Sequence, residues 1–266
     1  MQKTSTIKLL FVLMLFTACS NKQKPANVSN NDSVKEKEPT VTQNVKNIIF
    51  LGNSITAGYG VGESEAFPAL IQKKIDSLKL PYKVINAGIS GETSADGVSR
   101  INWVLKQPVD VFVLELGGND GLRGIPLEQT SKNLQEIIDT VKQKYSDAKI
   151  ILAGMEIPPN MGKKYTDEFR RLYGELAKKN KTLLIPFLLK GVGGEPELNQ
   201  ADGIHPNEKG HKIVAENVWA VLKNVLLKET VIVNAMKQSH LPRNDVFKLA
   251  YCNESYTFIE TSCIAL

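Results

Sequence analysis

Five short apolar runs, each closed by a loop and followed by an amphipathic stretch, constrain this 266-residue chain more than any other feature. The runs span Lys46–Gly52, Tyr82–Gly88, Val109–Leu116, Lys149–Met155 and Thr182–Phe187. Each is rich in Val, Ile, Leu or Phe and bounded by Gly, Pro or polar residues, as expected of parallel strands covered on both faces. Helical patterns alternate with them over Phe67–Leu78, Ser94–Lys106, Leu127–Tyr145, Lys163–Lys179 and Asn207–Leu227. In the third, Leu134, Ile137, Ile138 and Val141 recur at helical spacing with Lys and Glu opposite. Five β-then-α units in series predict one doubly wound α/β domain with a parallel sheet. In such sheets ligands collect beyond the carboxyl ends of the strands.

The amino-terminal sequence has a different character. Lys3 and Lys8 precede an apolar stretch, Leu9–Phe16, that is too short to span a bilayer, and small residues lead to Cys19. This is the layout of a signal peptide over residues 1–18. The ending Leu15-Phe16-Thr17-Ala18-Cys19 resembles a bacterial lipobox. That resemblance implies cleavage before Cys19, lipidation of its sulfur and attachment to a membrane of the cell envelope, facing the periplasm. Ser20, in place of an aspartate, favours the outer membrane. The alternative is plain secretion with a leftover cysteine. Residues 19–45 contain no aromatic residue and are rich in Asn, Lys, Ser and Glu, so a flexible tether is expected. The domain is expected over 46–228, and 229–266 form an extension without clear periodicity or assignable role.

Composition excludes some functions. The net charge of +5 includes two lysines of the signal segment, and no dense basic patch suggests a nucleic-acid partner. Of three cysteines, none lies between Val45 and Lys228, so no disulfide or thiolate metal site is expected in the core. Cys252 and Cys263 are either paired or both free.

The loops after the strands carry the candidate chemistry. Ser54, in LGNSITAGYG, is either a helix N-cap or a nucleophile. A nucleophile needs a base, and there are three histidines. His240 sits in the carboxyl-terminal extension and His211 within the last helical pattern. His205 lies in ADGIHPNEKG, followed by Pro206 at the expected first helical position and preceded by Asp202. A short loop can let Asp202 accept the Nδ1 proton of His205 while Nε2 points at a serine. Gly88 and Asn119 close the second and third strands, where a backbone N–H and an amide could receive an oxyanion. Read singly, each also has an ordinary turn or cap role.

Taken in order, Gly52-Asn53-Ser54, Gly88, Gly117-Gly118-Asn119-Asp120 and Asp202-Gly203-Ile204-His205-Pro206 resemble the blocks of the SGNH (GDSL) hydrolase superfamily, over about Asn47 to Leu226. NAGISGETS, ELGGNDGLRG and DGIHPN are most similar to its bacterial acyl-CoA thioesterase I, lysophospholipase L1 and arylesterase branch. The resemblance implies a flavodoxin-like three-layer sandwich with a five-stranded parallel sheet, and no metal or other cofactor. It implies Ser54 as nucleophile, His205 as base, Asp202 as its partner, and oxyanion donors from Ser54, Gly88 and Asn119. The reaction it implies is hydrolysis of carboxylic esters or thioesters through an acyl-enzyme. Asn53 departs from the family's common aspartate, and a tuning effect is expected. Leu122, Ile125, Ile157, Pro158 and Met161 are candidates to contact an acyl chain. Expected partners are a small ester, thioester or lysophospholipid, and the membrane through Cys19; a monomer is expected. A carbohydrate O-acetylesterase and, more remotely, a non-catalytic binding lipoprotein are the alternatives.

Overall fold

The computed structural model describes residues 45–238, with side chains through Thr230. The signal segment, Cys19, the tether, His240 and the pair Cys252 and Cys263 lie outside the described residues. Five strands form one all-parallel sheet: β1 (Lys46–Gly52), β2 (Tyr82–Gly88), β3 (Val111–Glu115), β4 (Lys149–Ala153) and β5 (Leu183–Ile185). Their order is β2-β1-β3-β4-β5. The central strands are the most apolar because helices cover both faces: β1 is buried from Ile48 onward and β3 throughout. β2 and β5, at the edges, are only partly covered.

The helices are α1 (Ser54–Ala57), α2 (Phe67–Ser77), α3 (Ser94–Val104), α4 (Gly118–Leu122), α5 (Leu127–Lys144), α6 (Lys163–Asn180) and α7 (Glu208–Gln238). α3, α5 and α6 pack in series, and α2 packs on α7. The stripe Leu134, Ile137, Ile138 and Val141 of α5 is wholly buried, as its spacing requires. Thr93 and Asp96 start α3 with a reciprocal capping box. α2 starts differently: His211, buried on α7, accepts the Phe67 N–H through Nδ1 at 3.3 Å. Burial lowers the His211 pKa to about 4, so it serves as a neutral acceptor.

Three expectations about boundaries change. β4 is shorter than its apolar run at the carboxyl end, where the chain turns out of the sheet into a site loop, and β3 and β5 are shorter than theirs at both ends. α7 starts at Glu208, not Pro206; Asn207 Oδ1 accepts the N–H groups of Lys209 and Gly210 and so caps it. The same helix runs without interruption past Lys228 to Gln238, so no structural break falls at 228. Glu229, the residue after that expected boundary, accepts a salt bridge from Lys46 and a hydrogen bond from the Tyr82 hydroxyl. It thereby ties the last helix to the starts of β1 and β2.

Candidate active site

The strand order places a crevice at one point. From β1 the chain crosses to β2 on one side and then to β3 on the other, so the loops after β1 and β3 diverge across the carboxyl edge. Ser54 and Asn119 follow those two strands.

Ser54 sits on a turn with almost no spare room. A Cβ on Gly52 would lie 2.1 Å from Thr56 Oγ1 and 2.5 Å from Glu115 Oε2, so only glycine closes β1 there. Asn53 caps α1, its Oδ1 accepting the Ile55 N–H at 2.9 Å. Gly58 ends the helix at φ +79°, in the left-handed region. Ser54 is therefore the first residue inside a helix and is largely buried. Among the described residues its N–H has no hydrogen-bond acceptor, as first-turn amides commonly lack one.

His205 bridges the two groups expected to flank it. Its Nε2 is 2.8 Å from Ser54 Oγ and its Nδ1 is 2.7 Å from Asp202 Oδ2. Asp202 Oδ1 also accepts the backbone N–H groups of Ile204 and His205, at 2.9 and 3.0 Å. Those bonds, the His205 N–H foremost, draw the carboxyl pKa down to about 2. An ionised Asp202 puts the imidazole proton on Nδ1 and leaves Nε2 free to accept from Ser54. The loop is pinned by Gln200, whose N–H donates to His205 O at 2.8 Å and whose side chain donates to Tyr59 O at 2.6 Å. The Tyr59 ring lies 4.8 Å from the imidazole, centroid to centroid.

Gly88 does not fit the donor role expected of it. Its N–H already donates to Asn86 Oδ1 at 2.9 Å. A Cβ there would stand 2.3 Å from the Ala57 nitrogen, so this glycine serves the close approach of α1 to β2. Asn119 Nδ2 donates to the carbonyl of Glu92 at 2.8 Å, which brings its amide to the loop where Gly91 precedes Glu92. Gly91 has φ +85°, and among the described residues its N–H has no acceptor. Arg123 binds its carbonyl at 3.0 Å.

Several residues without a role assigned from the sequence support the site. Arg100, from α3, donates to the carbonyls of Ala87 (2.7 Å) and Gly52 (3.4 Å) and pairs with Glu92, so one guanidinium gathers the ends of β1 and β2 and the glycine loop. Asp120, inside the GGND string, accepts from Ser94 N–H at 2.8 Å and from the Ser94 and Thr130 hydroxyls. It joins α4 to α3 and α5. Glu115, wholly buried at the end of β3, accepts from Asn53 N–H (3.0 Å), Asn53 Nδ2 (2.7 Å) and Thr56 Oγ1 (2.7 Å).

The expected acyl contacts divide. Leu122 and Pro158 are exposed, and Ile125 and Met161 are partly covered. Ile157 is buried in the core, where it packs over Gly121, so it is not available to a ligand in this arrangement. The exposed apolar side chains include three on or beside the site loops in sequence that were not expected to contact a ligand, each about half exposed: Tyr59, Ile89 and Ile204.

Residues 50–213 match the GDSL-like lipase/acylhydrolase family. The chain belongs to that family. It is 42% identical over 180 residues to the esterase TesA of Pseudomonas aeruginosa, an alignment that covers 67% of this chain and 89% of that one. It is 40% identical over 170 residues to thioesterase 1/protease 1/lysophospholipase L1 of Escherichia coli K12, covering 64% and 79%. A solved structure of the psychrotrophic esterase EstA from Pseudoalteromonas sp., inhibited by monoethylphosphonate, superimposes with a TM-score of 0.64 at 31% identity, over 68% of this chain and 98% of the other. The parallel five-stranded architecture is thus that of the SGNH hydrolases, and the protein is a hydrolase of ester-type acyl bonds.

Proposed function

We propose that Ser54 attacks the acyl carbonyl of small esters and thioesters with apolar acyl chains, with His205 as general base and Asp202 holding it. The observation that carries this reading is His205 itself, within hydrogen-bond distance of both Ser54 Oγ and Asp202. As Oγ bonds to the carbonyl carbon, its proton passes to Nε2. The tetrahedral oxygen is received by the Ser54 N–H, the Asn119 amide and, in place of Gly88, the Gly91 N–H. Collapse breaks the bond to the alcohol or thiol, which takes the proton from Nε2. Water then repeats the sequence on the acyl-enzyme and regenerates Ser54.

Support for apolar acyl groups comes from the exposed residues Tyr59, whose ring is tilted against the His205 imidazole, and Ile89, Leu122 and Ile204, which lie in or beside the site loops in sequence. Apart from the Tyr59 hydroxyl, these side chains supply no polar contact for a sugar ring. The relatives' names add esterase, thioesterase and lysophospholipase activities to the range worth testing. A lipid-anchored envelope protein would rarely meet acyl-CoA, which favours lysophospholipids or other small esters. Lipidation of Cys19 belongs to the same proposal.

The test is a p-nitrophenyl ester series of increasing acyl length, run beside a lysophospholipid, an acyl thioester and an acetylated sugar, on protein beginning near Val45. Turnover should rise beyond acetyl. Ser54→Ala should reduce it by at least ~10³, and a phosphonate should label Ser54. Labelling of a different serine, or preference for the acetylated sugar, would overturn the assignment.

A further inference from the structure

Beneath Ser54 lies a buried polar pair that the reaction does not use directly. Glu115 faces three donors: Asn53 N–H and Thr56 Oγ1–H on Oε2, and Asn53 Nδ2–H on Oε1. An amide held this way has one orientation. Nδ2 is committed to Glu115, so Oδ1 must face the other way, toward the Ile55 N–H at 2.9 Å and Ser54 Oγ at 3.4 Å. That is the face on which α1 begins.

We propose that Glu115 is a positioning residue for Ser54, and that Asn53 is its matched amide partner, a carboxylate–amide pair that fixes the turn carrying the nucleophile. The inference rests on the reading of Ser54 as nucleophile. The order of functional groups is what matters. The amide presents a donor to Glu115 at every working pH, whereas a second carboxyl group at 53 would do so only while it kept a proton.

The other ionisable groups around this pair are few. Tyr173, on α6, donates to Leu116 O at 3.0 Å, and Asp120, on α4, is occupied by Ser94. Arg100 approaches from α3 through the Gly52 carbonyl, and His205 stands beyond Ser54. Burial, opposed by hydrogen bonds from Thr56 and Asn53, pushes the Glu115 pKa up to about 7. The pair is thus sensitive to protons in the range where the enzyme would be assayed.

The test exchanges the groups. Glu115→Gln sets NH2 against NH2, and a buried donor left facing a donor should lower kcat by about tenfold or more with KM little changed. Asn53→Asp sets two carboxyls 2.7 Å apart. While they share one proton the donor pattern survives, so kcat near pH 7 should stay within about tenfold, then fall at higher pH as that proton leaves. Asn53→Asp with Glu115→Gln restores a carboxylate–amide pair in reverse order: the glutamine oxygen takes the backbone N–H of position 53 and the Thr56 hydroxyl, and its NH2 faces the carboxylate introduced there. The double variant should regain kcat over Glu115→Gln and lose the alkaline fall. Should Glu115→Gln not fold, the comparison of Asn53→Asp with the double variant still decides. A double variant that fails to fold, or that is no better than the worse single variant, overturns the proposal. Phosphonate labelling of wild-type Ser54 reports separately on the nucleophile: if labelling succeeds and the exchange fails, only the pair is wrong.

Discussion

Replacing Asp202 with Asn separates what the triad's acid does by charge from what it does by shape. Oδ1 of Asp202 accepts two backbone N–H groups, and Oδ2 accepts from His205 Nδ1 at 2.7 Å. An asparagine has two ways to occupy this site. With its oxygen on the backbone donors, its NH2 faces Nδ1; the imidazole proton moves to Nε2, which can no longer accept from Ser54. With the amide turned over, its oxygen serves Nδ1, but the NH2 confronts the N–H groups of Ile204 and His205. Losing two hydrogen bonds there costs roughly 2–4 kcal/mol. The productive state is reached through that second arrangement, so kcat should fall by about 30- to 1,000-fold. KM should hardly move, because Asp202 is placed behind the imidazole and away from substrate. The assay is steady-state hydrolysis of one soluble p-nitrophenyl ester from pH 6 to 9, with circular dichroism to show that the loop still folds. A variant within about threefold of wild type, or a loss expressed in KM, would refute the assignment of Asp202.

Asn119→Ala removes both an oxyanion donor and the bond to Glu92 O; kcat should fall by ~10²–10³, with a modest rise in KM from the loosened glycine loop, both read from the same ester assay. His211 and Glu115 carry opposite pH linkages. Burial holds the folded His211 pKa near 4, below its ordinary 6.5, so stability falls as pH drops from 6.5 toward 4; the folded Glu115 pKa near 7, above its ordinary 4.5, makes stability fall as pH rises from 4.5 to 7. The two oppose each other between 4.5 and 6.5. His211→Gln, whose oxygen can still accept the Phe67 N–H, should therefore gain stability on acidification where the wild type stays level; urea midpoints at pH 7, 6 and 5 check this, and parallel curves would contradict it. Glu229→Ala strips Lys46 and Tyr82 of their shared acceptor and should cost about 1–2 kcal/mol, a few degrees in Tm, without changing kcat.

β1 and β2 were legible to the residue because glycine ends each of them, and a glycine at a strand end is a visible mark. The meeting of Ser54, Asp202 and His205 was legible because a hydroxyl–imidazole–carboxylate set restricts residue types and three histidines leave little choice. α1 and α4 were not: helices of four and five residues are too short to show a period. The engagement of the Gly88 N–H was not legible, because Gly88 and Gly91, three positions apart, look alike in a string. What separates them is that Asn86 reaches forward to one N–H, a bond with no sequence mark. Ile157 was taken for a ligand contact because it follows a strand, yet Gly121 opens a space beneath α4 that it fills. The continuation of α7 was missed because its apolar run, Thr230 to Val233, lacks the alternation with charge that marked the earlier helices. Glu115 ends an otherwise apolar strand, and only the folded chain brings Asn53 and Thr56 to it.

Lys46 and Ser54 stand at opposite rims of the sheet. β1 carries the chain between them in seven residues, roughly 20 Å of protein at the usual rise per residue. Whatever is fastened to the amino-terminal part of the chain thus joins the domain at the rim away from the catalytic groups. With a lipid on Cys19, as proposed, the reactive serine need not face the membrane that holds the protein. The flexible tether expected over residues 19–45 can reach farther than this strand is long, so an ester in the surrounding water and one in that membrane would both lie within reach of the site.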